Sequence, residues 1–338
     1  MRLVTYNVEW FDVLFNDDGQ LWLDDGWSSR RDVTRRAQTG ALANVFQALD
    51  ADALMIIEAP DTGRRRSSIK ALKTFAKFAG IRASAAITGF TNNTQQEIAL
   101  LYDPNTISVE HTPGATADAP RFNDVFHIDL DVDDQFDDVV FSKPPLELTL
   151  RGDGAELNLI GVHIKSKAPH GAKSDADAVR ISLANRRKQL AQSIWLRRRV
   201  SALRTQGNPV VVLGDFNDGP GLDRFEALFG RSSIEIVLGL SHPTDQQLFD
   251  PHARRALSGV TAARDVTARF WLRTEKRYLS ALLDYIMVSE DLRAAAKAWR
   301  IWHPFDDPAC YDTPELRQAL LTASDHFPVS LDLDLSAI

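Results

Sequence analysis

The chain of 338 residues contains a single cysteine, Cys310, so an intrachain disulfide framework is excluded and no oxidising compartment is required. It lacks any uninterrupted apolar run long enough to cross a bilayer, so no membrane association is expected. It opens on an alternating strand pattern instead of a charged-then-apolar leader, which makes the cytoplasm the expected location. Cys/His clusters with zinc spacing are missing, and so are internal repeats. An excess of positive charge is also missing: 39 Lys and Arg against 46 Asp and Glu leave a formal net charge of −7. That balance removes any global attraction for nucleic acid or anionic lipid, but not a local basic groove. Nothing calls for an obligate protein partner. The hydrophobic content of 44% is ample for a large core.

What the chain does have is a set of apolar strands that end in polar groups. Val211 to Leu213 runs into Gly214-Asp215-Phe216-Asn217-Asp218, and residues two apart on a strand share a face, so Asp215 and Asn217 can converge. Taken alone, this could be a strand end followed by a turn over Asp218 to Gly221. Comparable endings recur, however. Leu3 to Glu9 carries Asn7, Ala53 to Ile57 ends in Glu58, and Leu157 to Lys165 places His163 and Lys165 on one side. Leu282 to Val288 holds Asp284 inside an apolar run, and Ser324-Asp325-His326 precedes a last strand from Pro328 to Leu335. A charge on an apolar strand is costly unless it is paired or binds an ion. Such repetition points to an active site assembled from both ends of the chain. The chain must then fold as one unit, a single domain over residues 1–338 with inserted loops at about 111–138 and 240–280.

In order along the chain, Thr5-Tyr6-Asn7-Val8, Ile57-Glu58, Gly161-Val162-His163, Gly214-Asp215-Phe216-Asn217, Leu283-Asp284-Tyr285-Ile286 and Ser324-Asp325-His326 resemble the motifs of the endonuclease/exonuclease/phosphatase superfamily, the DNase I-like metal-dependent phosphoesterases. Phe141 to Leu146 and His163 to Lys167 are most similar to bacterial nuclease-like members. Two positions depart from the common pattern: Ile57 where many members carry Gln, and Lys143 where Arg is frequent before Pro144. The resemblance implies an α/β fold, a DNase I-like four-layer α/β sandwich of two packed mixed sheets flanked by helices. It also implies Mg2+ or Mn2+ as cofactor, with Glu58 the main metal ligand and Asn7 and Asp325 as helpers. His326 is expected as general base on water, oriented by Asp284, with Asp215 the competing assignment. Asn217 and Asn7 are expected to donate to phosphate oxygens. His163 is expected to bind phosphate or to protonate the leaving group, with Glu97 supporting it by position. Lys165 and Lys143 are candidate phosphate contacts.

A hard divalent ion suits this chemistry, because an anionic substrate repels its nucleophile and charge grows on oxygen in the transition state. Periodicity predicts a helix started by Ser29 with Asp32, its face formed by Val33, Leu42, Val45, Phe46 and Leu49. A short helix is expected over 67–80, and a hairpin about Pro104-Asn105 joining 97–102 to 106–110. The longest helix is expected over 175–205, with Val179, Leu183, Leu190 and Ile194 on its apolar face. Arg180, Arg187 and Arg198 fall beside that face, as a solvated flank or a phosphate rail. The acidic run Asp129, Asp131, Asp133, Asp134, Asp137 and Asp138 lacks the Gly and Glu of an EF-hand loop and reads as a solvated insertion.

Three functions fit these features. A nuclease on DNA or RNA is favoured by the basic segments at 30–36 and 64–66. The alternative is a phosphatase or phosphodiesterase for a lipid or small phosphoester. A binding module that has lost catalysis is the third, and retention of every expected polar position argues against it.

Overall fold

The computed structural model describes all residues except 93, 95, 131–136, 170, 220–229, 260–264 and 273–275. Its strands run β1 (Arg2–Asn7), β2 (Ala53–Ala59), β3 (Ala85–Thr88), β4 (Glu97–Tyr102), β5 (Ser108–His111), β6 (Phe126–Ile128), β7 (Asp137–Val139) and β8 (Leu146–Gly152). They continue with β9 (Ala155–His163), β10 (Val210–Asp215), β11 (Leu248–Phe249), β12 (Ala268–Leu272), β13 (Arg277–Ala281), β14 (Asp284–Ser289), β15 (Ala296–Ile301) and β16 (Val329–Leu333). Two mixed sheets result, ordered β15-β16-β1-β2-β4-β3 and β11-β14-β10-β9-β8-β5. The helices are α1 (Arg35–Leu49), α2 (Ser68–Ala79), α3 (Asp175–Thr205), α4 (Ser233–Leu238), α5 (Pro251–Leu257), α6 (Pro308–Tyr311) and α7 (Pro314–Ala323).

Alternation along each strand explains the layering. Met55, Ile57, Leu100 and Leu331 of the first sheet meet Leu148, Leu159, Leu213 and Ile286 of the second in an inner core. On the outer face of the first sheet, Tyr6, Leu54 and Ile56 pack under Leu42, Phe46, Phe75 and Leu320 from α1, α2 and α7. On the outer face of the second, Ile160, Val162 and Val212 pack under Trp195, Leu196 and Ile234 from α3 and α4. This is the expected four-layer α/β/β/α sandwich. The sheets approach closely at Gly161, where a Cβ would stand 2.5 Å from Met55 Sδ. No helix among the described residues is long and apolar enough to cross a membrane.

Several local expectations need correction. Helix α1 starts at Thr34, whose side chain accepts from Ala37 N. Ser29 and Asp32 lie upstream at φ 69° and 59°, left-handed loop positions from which no helix can start, and Val33 stays outside the helix. The 97–110 segment is not a hairpin: β4 pairs with β2 and β3, whereas β5 crosses to the other sheet and pairs with β8. Helix α2 is as expected, closed by Ser67 and by Gly80 at φ 64°. In α3 the buried side differs from the apolar stripe. Val179 is exposed, while Ser182, Arg186, Gln189 and Ser193 are buried beside Leu190.

The three outward arginines of α3 are held locally: Arg180 by Asp177, Arg187 by Asp137, and Arg198 by the carbonyl of Asp118 and the ring of Phe126. They form a paired flank and not a phosphate rail. The 111–138 insertion carries β6, which pairs with β7, while Asp131, Asp133 and Asp134 lie outside the described residues. The end of the expected Asp218–Gly221 turn also lies outside them.

Candidate active site

Strand register builds the site. Asp215 of β10 is paired across with Asp284 of β14 on one side and His163 of β9 on the other, so three chemically active side chains stand in one row at the sheet's end. The turn into this row requires Gly214, at φ 140°, because a Cβ there would stand 2.0 Å from the Val162 carbonyl. The first sheet delivers Asn7 at the end of β1, opposite Ile57. Glu58 follows at a β-bulge with φ 63°, which turns its carboxylate out of the ladder. Ser324 ties the last motif to β1: its hydroxyl donates to the Asn7 carbonyl at 2.7 Å and accepts from His326 N at 3.1 Å.

Asn7, Glu58, His163, Asp215 and His326 line one cleft of about 660 Å³, together with Glu9, Trp10, Gln96, Lys143, Lys165, Asn217, Phe270 and Asp325. His326 Nδ1 lies 2.8 Å from Asp284 Oδ2. Burial opposes charge on this imidazole, but Asp284, and then Asp215 and Asp325, hold its pKa well above the ordinary histidine value. His163 has the opposite surroundings. Burial, with Lys143 and His326 nearby, pushes its pKa well down, and Lys143 Nζ sits 2.9 Å from its Nδ1. Asp215 receives Asn7 Nδ2 at 3.0 Å, Asn217 N at 2.7 Å and Asn217 Nδ2 at 3.1 Å. Burial raises its pKa to about 7 despite those donors.

Asn217 Nδ2 has both hydrogens engaged, by Asp215 and by the Ile164 carbonyl at 3.0 Å, whereas Asn7 Nδ2 gives one hydrogen to Asp215 and keeps a second. Glu97 is displaced from its expected place. It accepts from Asn92 N and Nδ2 at 3.3 and 3.0 Å, because adjacent residues entering β4 face opposite ways. The cleft position goes to Gln96, whose Nε2 donates to Glu58 at 2.7 Å and whose Oε1 accepts from Lys143 at 2.9 Å. Sequence reasoning missed Gln96, Glu9 and Trp10. Parity with Glu97 was the signal available for Gln96. Glu9 was readable as an acid two residues beyond Asn7, just past the end of the first apolar run.

The donor set suits a hard cation. Glu9, Glu58 and Asp325 crowd together, and burial followed by Asp325 pushes Glu9 up to about 8 even though Arg30 pairs with it. Burial likewise raises Glu58. Asn7 Oδ1 is buried with no hydrogen-bond partner, an oxygen left over for a ligand. A second group, Asp215, Asp284 and His326, brings one donor atom each to within 4.8 Å. Its imidazole is already committed to Asp284, so the all-oxygen set is the better match for Mg2+ or Mn2+.

The family model described as Endonuclease/Exonuclease/phosphatase family matches residues 4–326. The chain belongs to this family. Each activity in that description cleaves phosphoester bonds, so the chain of this endonuclease/exonuclease/phosphatase member is a phosphoester hydrolase by family. Among solved structures, it is similar to a 3′-5′ exonuclease, NExo, from Neisseria meningitidis, at 16% identity and a TM-score of 0.50, covering 99% of this chain and 100% of that one. It is also similar to TDP2 from Caenorhabditis elegans, at 15% identity and a TM-score of 0.50, covering 98% of this chain and 73% of that one. At such identities the likeness establishes the fold. A search of curated proteins finds no match.

Proposed function

We propose that the chain is a divalent-metal-dependent nuclease that hydrolyses phosphodiester bonds of DNA or RNA by attack of water. The observation that carries the reading is the convergence of the oxygen donors, the Asp215 carboxylate and His326, which Asp284 holds, on one cleft of about 660 Å³. Solved structures similar in fold include the Neisseria 3′ phosphatase NExo bound to a product DNA hairpin, at 17% identity. Glu58, Asp325 and Asn7 Oδ1 would hold the cation, with Glu9 beside them. Such a cation supplies Lewis-acid neutralisation of phosphate charge.

The protein's own groups divide the proton work. Asp215, with a pKa near neutrality and aimed by both asparagines, accepts the proton of the attacking water. His326 was expected as the base. Its charged state favours a different part, in which Nδ1–H is held by Asp284 and Nε2–H donates to a phosphate oxygen. Neutral His163, with Lys143 against it, is the donor to the leaving oxygen in this reading. Lys165 adds positive charge at the wall.

The arginine segments contribute less than their sequence suggests. Arg30 is paired with Glu9, Arg35 with Asp24, Arg36 with Asp25 and Arg66 with Asp61. With Lys143 and Lys165 as the main phosphate contacts, single-strand affinity should fall with salt at a logarithmic slope of about −1.4, from roughly −0.7 per contact. The test is cleavage and binding of labelled oligonucleotides across a salt series with Mg2+, beside bis-p-nitrophenyl phosphate and phospholipid controls. Turnover of the small ester or lipid alone would replace the nuclease reading with the small-phosphoester one.

A further inference from the structure

Trp10 occupies an unusual backbone state. It has φ 57° and ψ 37°, the left-handed region, which disfavours bulky side chains and suits glycine. The position adjoins the acids: the preceding residue is Glu9, and the Trp10 backbone lies near enough to the Glu58 carboxylate to favour its charged form. The backbone alone could serve that purpose on any residue. What tryptophan adds is an indole that lines the cleft and is 41% exposed.

Other exposed tryptophans have partners. Arg35 lies over Trp22 at 5.2 Å, and Trp27 Nε1 donates to the Arg30 carbonyl at 2.6 Å. Trp271 is half-buried, with Arg31 over it at 4.2 Å and Tyr278 against it at 5.1 Å. Among the described residues, no ring or guanidinium stacks on Trp10. A strained, unstacked aromatic face beside the reacting groups is a binding surface awaiting a flat partner. The cleft around it combines polar Asn7, Glu9, Glu58 and Gln96 with apolar Ile164, Phe270 and Leu283, a mixture that suits a flat heterocycle with polar edges.

We propose that Trp10 is a stacking platform for the unpaired nucleobase flanking the scissile phosphate. The proposal rests on the nuclease reading and narrows it to single-stranded or frayed nucleic acid. The base lies over the indole while its phosphate reaches Lys143, Lys165 and His326, so the platform sets which phosphodiester enters the site. Every base has a π-face, so the contact confers strand selection without base specificity.

Trp10→Gly is the informative variant, because glycine accepts this backbone state and the fold is expected to keep or gain melting temperature. The measured quantity is the ratio of kcat/KM for a single-stranded oligonucleotide to that for bis-p-nitrophenyl phosphate. It should fall roughly ten- to hundredfold in Trp10→Gly, mostly through KM, and recover substantially in Trp10→Phe. An unchanged ratio with active oligonucleotide cleavage overturns the platform and leaves the nuclease reading standing. Equal loss on both substrates also overturns it, assigning Trp10 to the support of Glu58. Failure of the unaltered protein to cleave any oligonucleotide, with the small diester turned over, removes the nuclease reading itself.

Discussion

Replacing Asp284 with asparagine isolates the part of the site whose geometry is most sharply defined. The carboxylate is buried, and its Oδ2 is 2.8 Å from His326 Nδ1. Asparagine keeps the volume but removes the charge that sustains the imidazolium, and its amide face can present N–H to Nδ1. His326 then becomes neutral or takes the wrong tautomer. A hydrogen bond to a charged group contributes about 1.5–3 kcal/mol, and a positioned acid–base group about 10²- to 10⁴-fold in rate. The expected loss in kcat/KM on bis-p-nitrophenyl phosphate with Mg2+ is therefore about 10²- to 10⁴-fold.

The pH profile separates this from general damage. Activity in the unaltered protein should rise as Asp215 loses its proton, at about pH 7 or lower once a cation lies nearby, and fall only when His326 deprotonates at a raised value. Removing Asp284 brings that alkaline limb down toward ordinary histidine. Stability carries the same sign. A raised histidine pKa stabilises fully below its unfolded value, and the contribution is lost as pH rises through the folded one. The advantage of the unaltered protein over Asp284→Asn should thus be larger at pH 6 than at high pH. A variant within threefold of full activity, with its alkaline limb unmoved, would refute the dyad.

Three further outcomes follow from described contacts. Glu58→Gln should abolish most turnover and also the rise in melting temperature that Mg2+ or Mn2+ gives the unaltered protein; a retained metal shift would show that the cation sits elsewhere. Arg186, fully buried against Asp218 at 2.8 Å, should cost about 3–5 kcal/mol when replaced by leucine, since the buried Asp218 carboxylate loses its guanidinium partner; urea unfolding giving under 1 kcal/mol would contradict the pairing. Glu97, pushed by burial to about 7, stabilises fully below its ordinary value of 4.5 and loses that contribution as pH rises to about 7. The melting temperature should accordingly fall between pH 5 and 8 by more in the unaltered protein than in Glu97→Gln.

Most of the site was legible because each participating strand announces itself twice, by an apolar run and by a polar terminus. The sandwich was legible through the family resemblance that the ordered motifs carry, and alternation along the strands accounts for its layers. What escaped was information that only the tertiary partner carries. The 97–110 segment has a good turn, yet Pro104-Asn105 passes the chain between sheets, and local alternation says nothing of which sheet receives β5. Arg186 and Gln189 look like solvent-facing residues of α3, but they are buried because the loop after β10 brings Asp218 and the Asn217 carbonyl to them. Ser29 and Asp32 imitate a capping box while their backbones point elsewhere. Glu97 and Gln96 differ by one residue, and one residue is a whole face of a strand.

The close approach at Gly161 has a consequence for how activity arises. Asn7 and Glu58 come from one sheet, and His163, Asp215 and Asp284 from the other. The side-chain hydrogen bond from Asn7 to Asp215 spans that divide. Neither half contains a working set, so the catalyst comes into being only when the two layers close face to face over Met55. A partly folded chain is in this sense disarmed, and turnover reports on completed packing of the whole molecule.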